Sequence, residues 1–380
     1  MTPRGRAGRL LAWALAVVAL AFVAWVVPVR DRCWDPRAPA STRVSVTRNQ
    51  DGCTLHLRSG EARIGAPACA ELRCEPGVAS TLTHARTGVL AALLALYALG
   101  LLVWAARWRA LLTLAGVDIS VLQVWRVSTE AQAGGILLPG GIGGDALRIA
   151  SVIGRPTRAG EPRAPAAIVV ASVLLDRAIG LSVLALVAAA LGFAWGGLRD
   201  GALAFALLAI PVAVALGLWV LRRAPQGRTS GLARWLTGGR FGRIVGPMLE
   251  YVRDARAPAA IARAAGLSLV VAVTQFAVIR GLVFAVGAQP SAEKWVYVGG
   301  AMVFIVAAVP ALPGGWGTAD AAWIFFLGLA GLPAGAALGV GLLYRLFWYI
   351  SAIVGAALYV ARPRASIVAA SHAPAESPPA

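Results

Sequence analysis

Two glycine-rich segments of the chain combine residue types that can bind an anion. Residues 118–154 contain LPGGIGGD (Leu138–Asp145), and residues 294–331 contain the similar LPGGWGTAD (Leu312–Asp320), which indicates an internal repeat. Successive free amides in a glycine-rich turn and at the N-terminus of a short helix favour an anion such as a lipid phosphate. We therefore predict headgroup contacts at the glycines of the turns, namely Gly140, Gly141, Gly143, Gly314 and Gly315. The alternative is that these glycines only allow broken helices to pack closely.

Charged residues inside apolar segments are the second group of candidates, because charge in a bilayer is costly and usually faces a bundle interior or a water path. These residues are Asp145, Arg148, Asp176, Arg177, Arg280, Asp320 and Arg345. Arginine suits phosphate because its planar fork can donate to two oxygens at once. We expect Arg148 and Arg177 to receive a lipid headgroup, with Arg280 and Arg345 along the remaining path. Each role has a structural alternative. Asp145 would only cap a helix, and the arginines would only join helices by pairing with carboxylates or carbonyls.

The elements that must position these residues are short. The segments after the two turns, residues 142–154 and 319–331, rise about 20 Å as helices, whereas the core of a bilayer is roughly 30 Å thick. Pro139 and Pro313 cannot continue a helix, so we predict two re-entrant hairpins that break inside the membrane. The first would enter from the cytoplasm and the second from outside, as in the inverted repeats whose broken helices form a transporter's substrate site.

The composition of the chain requires a membrane environment. Of 380 residues, 59% are hydrophobic and only 14% are charged, and the mean hydropathy is +0.74, so a soluble enzyme is excluded. The predicted fold class is all-α, a polytopic transmembrane helical bundle with six full spans and the two re-entrant hairpins in inverted repeat. The spans are predicted at residues 10–29, 87–106, 165–191, 202–221, 265–288 and 334–360.

The net charge of +18, from 35 basic and 17 acidic residues, follows this topology. With the N-terminus and the C-terminus in the cytoplasm, 21 basic residues fall on the cytoplasmic side, as the positive-inside rule requires. The surplus therefore indicates orientation in a bacterial-type cytoplasmic (inner) membrane, and we predict no nucleic-acid partner. The arginine-rich segment 222–264 is either an amphipathic stretch on anionic lipid or a solvated loop.

Residues 30–86 are polar and contain all four cysteines, Cys33, Cys53, Cys69 and Cys74. This pattern is typical of an exported module held by two disulfides, for which three pairings are possible. Zinc is the weaker interpretation, because the spacing lacks a C-x2-C knuckle and the nearby histidines are His56 and His84. The predicted domains are an N-terminal transmembrane helix (1–29), retained or cleaved as a signal peptide, an extracytoplasmic cap (30–86), a transmembrane domain (87–361) and a disordered cytoplasmic tail (362–380).

Other chemical motifs are weak. Gly141, Gly143 and Ala146 fit a loose dinucleotide-binding pattern, but strands and helices do not alternate around them, and no Walker lysine follows either glycine cluster. We therefore expect no cofactor and no metal. A membrane-embedded transferase with Asp145 or Asp320 as its base lacks a nucleophile or a metal cluster.

The motifs that contain several of these residues resemble those of a known family, the flippase-like transmembrane domain of lysylphosphatidylglycerol synthases. This domain also occurs as free-standing membrane proteins. The resemblance covers roughly residues 88–360. Its motifs are Arg107-Trp108, LPGGIGGDALR (Leu138–Arg148), the LLDR sequence that ends at Arg177, PGGWGTADA (Pro313–Ala321) and Arg345. The family often has Glu where Asp176 and Asp320 stand, and the cap is not part of its pattern. Its larger members carry a soluble aminoacyl-transferase domain after the membrane part, whereas only about 20 residues follow the last predicted helix here.

The residues and the resemblance together predict a flippase, not an enzyme, that moves a phospholipid or other lipid-phosphate with an anionic headgroup across the membrane. The resemblance implies translocation without aminoacylation. No ATP-binding motif is present, so movement would be passive or coupled to a gradient. The alternative from another class is a non-transporting scaffold for a cell-envelope lipid or glycan enzyme, which would bind that protein through residues 30–86.

Overall fold

The computed structural model describes residues 21, 23, 25–34, 44–49, 52–57, 60–137, 142–153, 155, 166–196, 201–223, 250–254, 256–308 and 315–361. Several predicted features lie outside these residues: the tail 362–380, most of the first helix, most of segment 222–264, and Pro139, Gly140, Gly141, Pro313 and Gly314. The chain divides into two compact units. Unit 1 comprises Met1–Leu99, Ala185–Leu208 and Ala272–Phe347, and unit 2 comprises Gly100–Leu184, Ala209–Val271 and Trp348–Ala380.

The cap, in unit 1, is built on a five-stranded antiparallel sheet in the order β4-β3-β2-β1-β5. Its elements are β1 (Asp31–Trp34), β2 (Val44–Asn49), β3 (Gly52–Leu57), β4 (Gly60–Gly65), α1 (Ala66–Glu71), β5 (Arg73–Glu75) and α2 (Val78–Thr83). In β2, apolar and polar residues alternate with the two-residue period of a strand, as at Val44, Ser45 and Val46. The all-α prediction therefore describes the membrane part, and the cap adds a sheet that this prediction did not include.

Two disulfides hold the cap, as predicted, and the structure decides among the three possible pairings. Cys33 in β1 lies opposite Cys74 in β5 and is bonded to it, and Cys53 in β3 is bonded to Cys69 in α1. Cys33, Cys53 and Cys69 are buried with Val46 in the centre of the cap. The covalent bonds compensate for the small apolar core that a module of this size can bury.

The remaining helices form the membrane part. They are α3 (Thr87–Leu114), α4 (Val121–Leu137), α5 (Ile142–Val152), α6 (Ala166–Gly196), α7 (Gly201–Arg223), α8 (Ala257–Ala285), α9 (Lys294–Ala307), α10 (Thr318–Leu329) and α11 (Ala334–Val360). Among the described residues, four helices are long and apolar enough to cross a membrane, namely α3, α6, α8 and α11. The helix α7 occupies the predicted span 202–221, and its described apolar segment is Leu207–Val220. The chain is thus a multi-pass helical membrane protein.

Each glycine-rich turn joins two helices that pack against each other. We call α4–α5, in unit 2, the first hairpin and α9–α10, in unit 1, the second hairpin. The return helices α5 and α10 have 11 and 12 residues, so they rise about 17 and 18 Å and are shorter than a bilayer core. Glycine allows the close approach of the first pair, because a Cβ at Gly144 would lie 2.9 Å from the carbonyl oxygen of Ala131.

Within unit 1, the cap packs on the second hairpin and on α11. Gly335 faces the backbone of Gly77, and Gly339, about one turn later, faces the side chain of Thr81 at the end of the cap. Both contacts need glycine, because a Cβ at either position would overlap the cap. The apolar part of this contact is formed by Val78 of the cap with Ile324 and Leu338, and Val27, which precedes the cap, packs in the same cluster.

Candidate functional site

Asp176, in the middle of α6, is surrounded by arginine. Its exposed fraction is 1%, and it accepts two hydrogen bonds from Arg107 in α3, from Nε to Oδ1 at 2.7 Å and from Nη2 to Oδ2 at 3.0 Å. Arg148 in α5 donates from Nη2 to Oδ2 at 3.1 Å. The two guanidinium groups compensate the buried carboxylate, and their hydrogen bonds offset the cost of taking all three charges out of water.

A second carboxylate, Asp145 in the first turn of α5, extends this cluster. Arg148 Nη1 lies 3.6 Å from Asp145 Oδ1, and Arg177 forms an ion pair with the other oxygen of Asp145. Cations and anions therefore alternate in the order Arg107, Asp176, Arg148, Asp145, Arg177, which we call the arginine–aspartate cluster. Asp176 and Arg177 are adjacent in sequence but point about 100° apart around the helix, so they pair with different partners.

A glycine makes room for Arg107. Gly180 lies one turn after Asp176 on α6, and a Cβ at this position would come within 2.6 Å of Arg107 Nη1. The same Nη1 donates to Ser268 Oγ in α8 at 3.3 Å. The hydrogen bonds to α6 and α8 therefore hold Arg107 in one geometry, which makes it the fixed end of the cluster.

Two indole rings position Arg148. Its Cζ lies 4.0 Å from the ring centroid of Trp108 and 4.7 Å from that of Trp104, both on α3. Trp108 is itself fixed, because its Nε1 donates to Ser172 Oγ at 3.2 Å. Stacking on aromatic faces suits the weakly hydrated guanidinium group and stabilises it in a buried position.

The cluster lines a cavity of about 210 Å³ in unit 2. The lining residues are Trp104, Arg107, Ser128, Ala131, Gln132, Gly135, Gly144, Asp145, Arg148, Asp176, Arg177 and Trp348. Three arginines face two aspartates in this lining, so the cavity has one positive charge in excess. Because both carboxylates already pair with arginine, the arrangement suits an anion better than a metal cation.

The second hairpin places its charged residues differently. Asp320 accepts a hydrogen bond from Gly317 N at 2.9 Å, so it caps its own helix. Arg345 of α11 pairs with both carboxylate oxygens, at 2.8 and 3.2 Å, and the Trp316 ring centroid lies 4.0 Å from Arg345 Cζ. Gly315 and Gly317 have φ of +68° and +78°, which favours glycine at both positions. Asp320 and Arg345 are buried, and together they form a neutral pair.

Arg280 belongs to a third group, in unit 1. It forms an ion pair with Glu293, and the Tyr297 hydroxyl lies 3.5 Å from the same carboxylate oxygen. The described members of the predicted site therefore fall into three places: Gly143, Asp145, Arg148, Asp176 and Arg177 at the first hairpin, Gly315, Asp320 and Arg345 at the second, and Arg280 with Glu293. Their roles in headgroup binding stay predictions.

Three polar residues of the cavity were not predicted. Arg107, at the end of a predicted span, was interpreted as a cytoplasmic charge and as part of the family motif Arg107-Trp108, but not as a site residue. A buried Asp176 requires a cationic partner, and this requirement indicates a nearby arginine. Ser128 and Gln132 lie four residues apart in an apolar arm, which places them on one face of α4. That spacing is the signal that identifies them.

The comparison with known proteins assigns this architecture to one family. The family model described as Lysylphosphatidylglycerol synthase TM region matches residues 77–355, which include both hairpins and the whole arginine–aspartate cluster. The chain belongs to this family. The match confirms the resemblance seen in the sequence, and the five strands of the cap precede the range that the Lysylphosphatidylglycerol synthase TM region covers. No curated protein and no solved structure matches the chain.

Membership of the Lysylphosphatidylglycerol synthase TM region family indicates a lipid-related function in the membrane. Within the matched range, the cavity of unit 2 brings three arginines and two aspartates together. The chemistry that this cavity supports is recognition of an anion by guanidinium groups.

Proposed function

We propose that the protein is a lipid flippase, which moves a phospholipid or other lipid-phosphate with an anionic headgroup across the cytoplasmic membrane. The observation that carries this proposal is the net positive cavity at the first hairpin, lined by three arginines and two aspartates. A charged headgroup crosses a bilayer core slowly because it must lose its water. A cavity that supplies guanidinium donors lowers that cost, while the lipid tails stay in the bilayer.

Arg177 is the residue that we expect to meet the headgroup first. Its side chain is 34% exposed, whereas those of Arg107 and Arg148 are 8% and 2% exposed. Its partner Asp145 also pairs with Arg148, so a phosphate that replaces Asp145 at Arg177 leaves that carboxylate with a cation. This exchange of partners leaves no buried charge unpaired, which is the condition for a low energetic cost.

The proposal includes a topology. We propose six full spans, namely α3, α6, α7, α8, α11 and the predicted helix at 10–29, with both termini in the cytoplasm and the cap outside. The two hairpins then enter from opposite faces as an inverted repeat. Three observations support this arrangement: the excess of arginine in the predicted cytoplasmic segments, the disulfides, which form in an oxidising compartment, and the short return helices of the hairpins.

Reconstitution in liposomes with fluorescent lipids tests the proposal. The protein should accelerate leaflet exchange of at least one anionic lipid, and Arg177→Gln should slow that exchange about 10-fold or more, because a hydrogen bond to a charged group contributes about 1.5–3 kcal/mol. Leaflet exchange equal to that of protein-free liposomes, across anionic, zwitterionic and polyprenyl-phosphate lipids, would overturn the proposal.

Arg256→Gln is the matched control in the same unit. Arg256 pairs with Asp254 at 2.8 Å outside the cavity, and its hydrogen bonds lower the pKa of Asp254 to about 2. This variant also removes one paired arginine, and we expect it to exchange lipid at the wild-type rate. An equal loss in both variants would show that total charge, and not the cavity, controls exchange.

The scaffold is a second candidate, because the cap is a folded module that is packed on α11. Such a module could present a surface to an envelope protein. The two functions give opposite results in cells. If Arg148→Ala and Arg177→Ala leave the cellular function intact and deletion of residues 30–86 abolishes it, the scaffold is right and the flippase is wrong.

A further inference from the structure

The sheet of the cap ends on a regular edge strand. Strand β4 lies at one end of the order β4-β3-β2-β1-β5, so β3 is its one neighbouring strand among the described residues. It has six residues, contains no proline, and pairs with β3 along its whole length without a bulge. Proteins usually shorten, bend or cover such an edge, because its unpaired N–H and C=O groups can bind another strand. The edge of β4 therefore offers backbone groups to a partner.

Alternate residues of β4 direct their backbone groups away from β3. Leu57 and Gly60 close the β3–β4 hairpin across two residues, and such a closing pair exchanges both of its hydrogen bonds. Because the pattern alternates along the strand, Ala62 also bonds to β3, whereas Glu61 and Arg63 turn their N–H and C=O groups outward. These two residues present the donors and acceptors that an added strand needs.

The side chains of the same two residues carry opposite charges on the solvent face of the sheet. Glu61 and Arg63 are exposed, whereas Ile64 packs against the buried cysteines of the cap. Glu61 also pairs with His56 at 3.0 Å, yet its side chain is still 66% exposed and can take a second partner. The edge therefore combines free backbone groups with one anion and one cation.

A second copy of β4 matches both the backbone groups and the charges. In an antiparallel pair centred on Ala62, Glu61 of each copy lies opposite Arg63 of the other, so the two backbone-bonded pairs are also ion pairs. The adjacent registers, centred on Glu61 or on Arg63, place like charges opposite each other and are disfavoured. The charge order of β4 is thus complementary to itself in one register, as a two-fold symmetric interface requires.

We infer that β4 is a docking surface for a second copy of the chain, so that two caps join into one continuous sheet through their β4 strands. The inference does not depend on the proposed flippase, because it uses cap residues that precede the matched family range. One added strand is a small interface, so the dimer should form in a concentration-dependent manner.

Charge reversal in the full-length protein in detergent tests the register. Light scattering over a range of protein concentrations measures the fraction of dimer. Glu61→Arg and Arg63→Glu each place two like-charged pairs in the interface and should weaken the dimer about 10-fold or more. The double variant restores opposite charges in the same register and should recover the dimer. Glu71→Arg, which changes an exposed carboxylate in α1, is the matched control and should keep the wild-type dimer.

Cysteine cross-linking in native membranes locates the contact. Ala62 would lie on the two-fold axis, where the Cα atoms of a non-hydrogen-bonded pair are about 4.5 Å apart, within the range of a disulfide. Ala62→Cys should therefore give a cross-linked dimer on mild oxidation. Gly65→Cys is the control on the same strand: a Cβ there makes only an ordinary contact with Pro67, and its two copies would lie about 20 Å apart.

The outcomes decide the inference without a measurement of lipid exchange. Weakening by each single reversal, recovery in the double variant and a cross-link at Ala62→Cys but not at Gly65→Cys support the dimer. A monomer at every concentration, or a dimer that neither reversal weakens, overturns it. A cross-linked product of another mass also overturns it, because a strand of a different envelope protein would then occupy β4. In each of these cases the flippase is unaffected.

Discussion

The two hairpins begin from nearly the same sequence and form different sites. At the first hairpin, five charged side chains alternate in sign and line a cavity with one positive charge in excess. At the second, Arg345 pairs with both carboxylate oxygens of Asp320, the Gly317 amide donates to the same carboxylate, and the Trp316 ring lies over Arg345. Among the described residues, Ser128 Oγ and Arg148 Nε at the first site have no hydrogen-bond partner, whereas both carboxylate oxygens at the second site pair with Arg345.

The difference between the two hairpins lies in the charges that other helices add. Both hairpins have a short return helix after the glycine-rich segment. The charges around them come from other helices: α3 and α6 add Arg107, Asp176 and Arg177 to the first site, and α11 adds Arg345 to the second. We therefore interpret the first hairpin as the binding site and the second as its structural counterpart, and the following variants test that interpretation.

The largest difference is expected between Asp176→Asn and Asp320→Asn. Asp176→Asn leaves Arg107 and Arg148 buried without their shared anion, which should lower the free energy of unfolding by about 3–5 kcal/mol. Asp320→Asn keeps an oxygen for the Gly317 amide and leaves one buried cation, Arg345, without its anion, so its cost should lie at the lower end of this range, about 3 kcal/mol. Unfolding in detergent, followed by circular dichroism, measures both values.

The variant Arg107→Met in the Asp176→Asn background is the control for this prediction. It removes one of the two unpaired cations, so it should recover part of the lost stability. If Asp176→Asn and Asp320→Asn lower the free energy of unfolding by the same amount, and Arg107→Met recovers none of the loss, the stability of the cluster does not depend specially on Asp176. The proposed difference between the hairpins would then be wrong.

The next prediction concerns the cap, which packs on the second hairpin within unit 1. Replacing Cys33 and Cys74 by Ser removes the bond between β1 and β5, and a disulfide contributes about 2–4 kcal/mol. We expect faster hydrogen exchange in α2, α10 and the first turns of α11, with α4 and α5 unchanged. Replacing Cys53 and Cys69 by Ser frees β3 from α1, and this change should increase hydrogen exchange in α10 less. Faster exchange in α4 and α5 would contradict the assignment of the cap to the second hairpin.

The sequence predicted the shared features of the hairpins better than their difference. Helices α5 and α10 follow the turns at the predicted positions, because proline ends a helix and the apolar segment after each turn is short. The charged residues were found from the cost of charge in a bilayer. The partners were not found, because Arg107 and Asp176 lie 69 residues apart and their contact depends on how α3 packs on α6.

The cap shows the same limit. Four cysteines in a polar segment predicted two disulfides, but the pairing depends on a strand register in which Cys33 lies opposite Cys74. That register and the sheet itself were not predicted. Residue spacing along a strand or a helix can be read from a sequence, whereas contacts between distant segments are set by packing.

A smaller effect is expected where the arms of a hairpin touch. Gly144→Ala places a Cβ 2.9 Å from the Ala131 carbonyl oxygen and should cost about 1–3 kcal/mol, and it should also slow lipid exchange because Gly144 lines the cavity. Gly299→Ala meets Phe326 Cβ at 2.8 Å in the second hairpin and should cost a similar amount without slowing exchange. Gly328→Ala, with no atom within 4 Å, is the control and should be neutral or stabilising. Equal slowing by Gly144→Ala and Gly299→Ala would show that both hairpins take part in transport.

The smallest effect is expected from the aromatic partners of the arginines. Trp316→Leu removes an exposed ring from its contact with the buried Arg345 and should lower the free energy of unfolding by about 0.5–1 kcal/mol, with lipid exchange within about twofold of wild type. Trp104→Leu removes a comparable contact from Arg148, but Trp104 lines the cavity, so this variant should slow exchange severalfold. Stopped-flow leaflet exchange compares the two in one lipid mixture. If Trp316→Leu slows exchange as much as Trp104→Leu does, the second site also binds lipid. The neutral Asp320–Arg345 pair would then not prevent a headgroup from binding there.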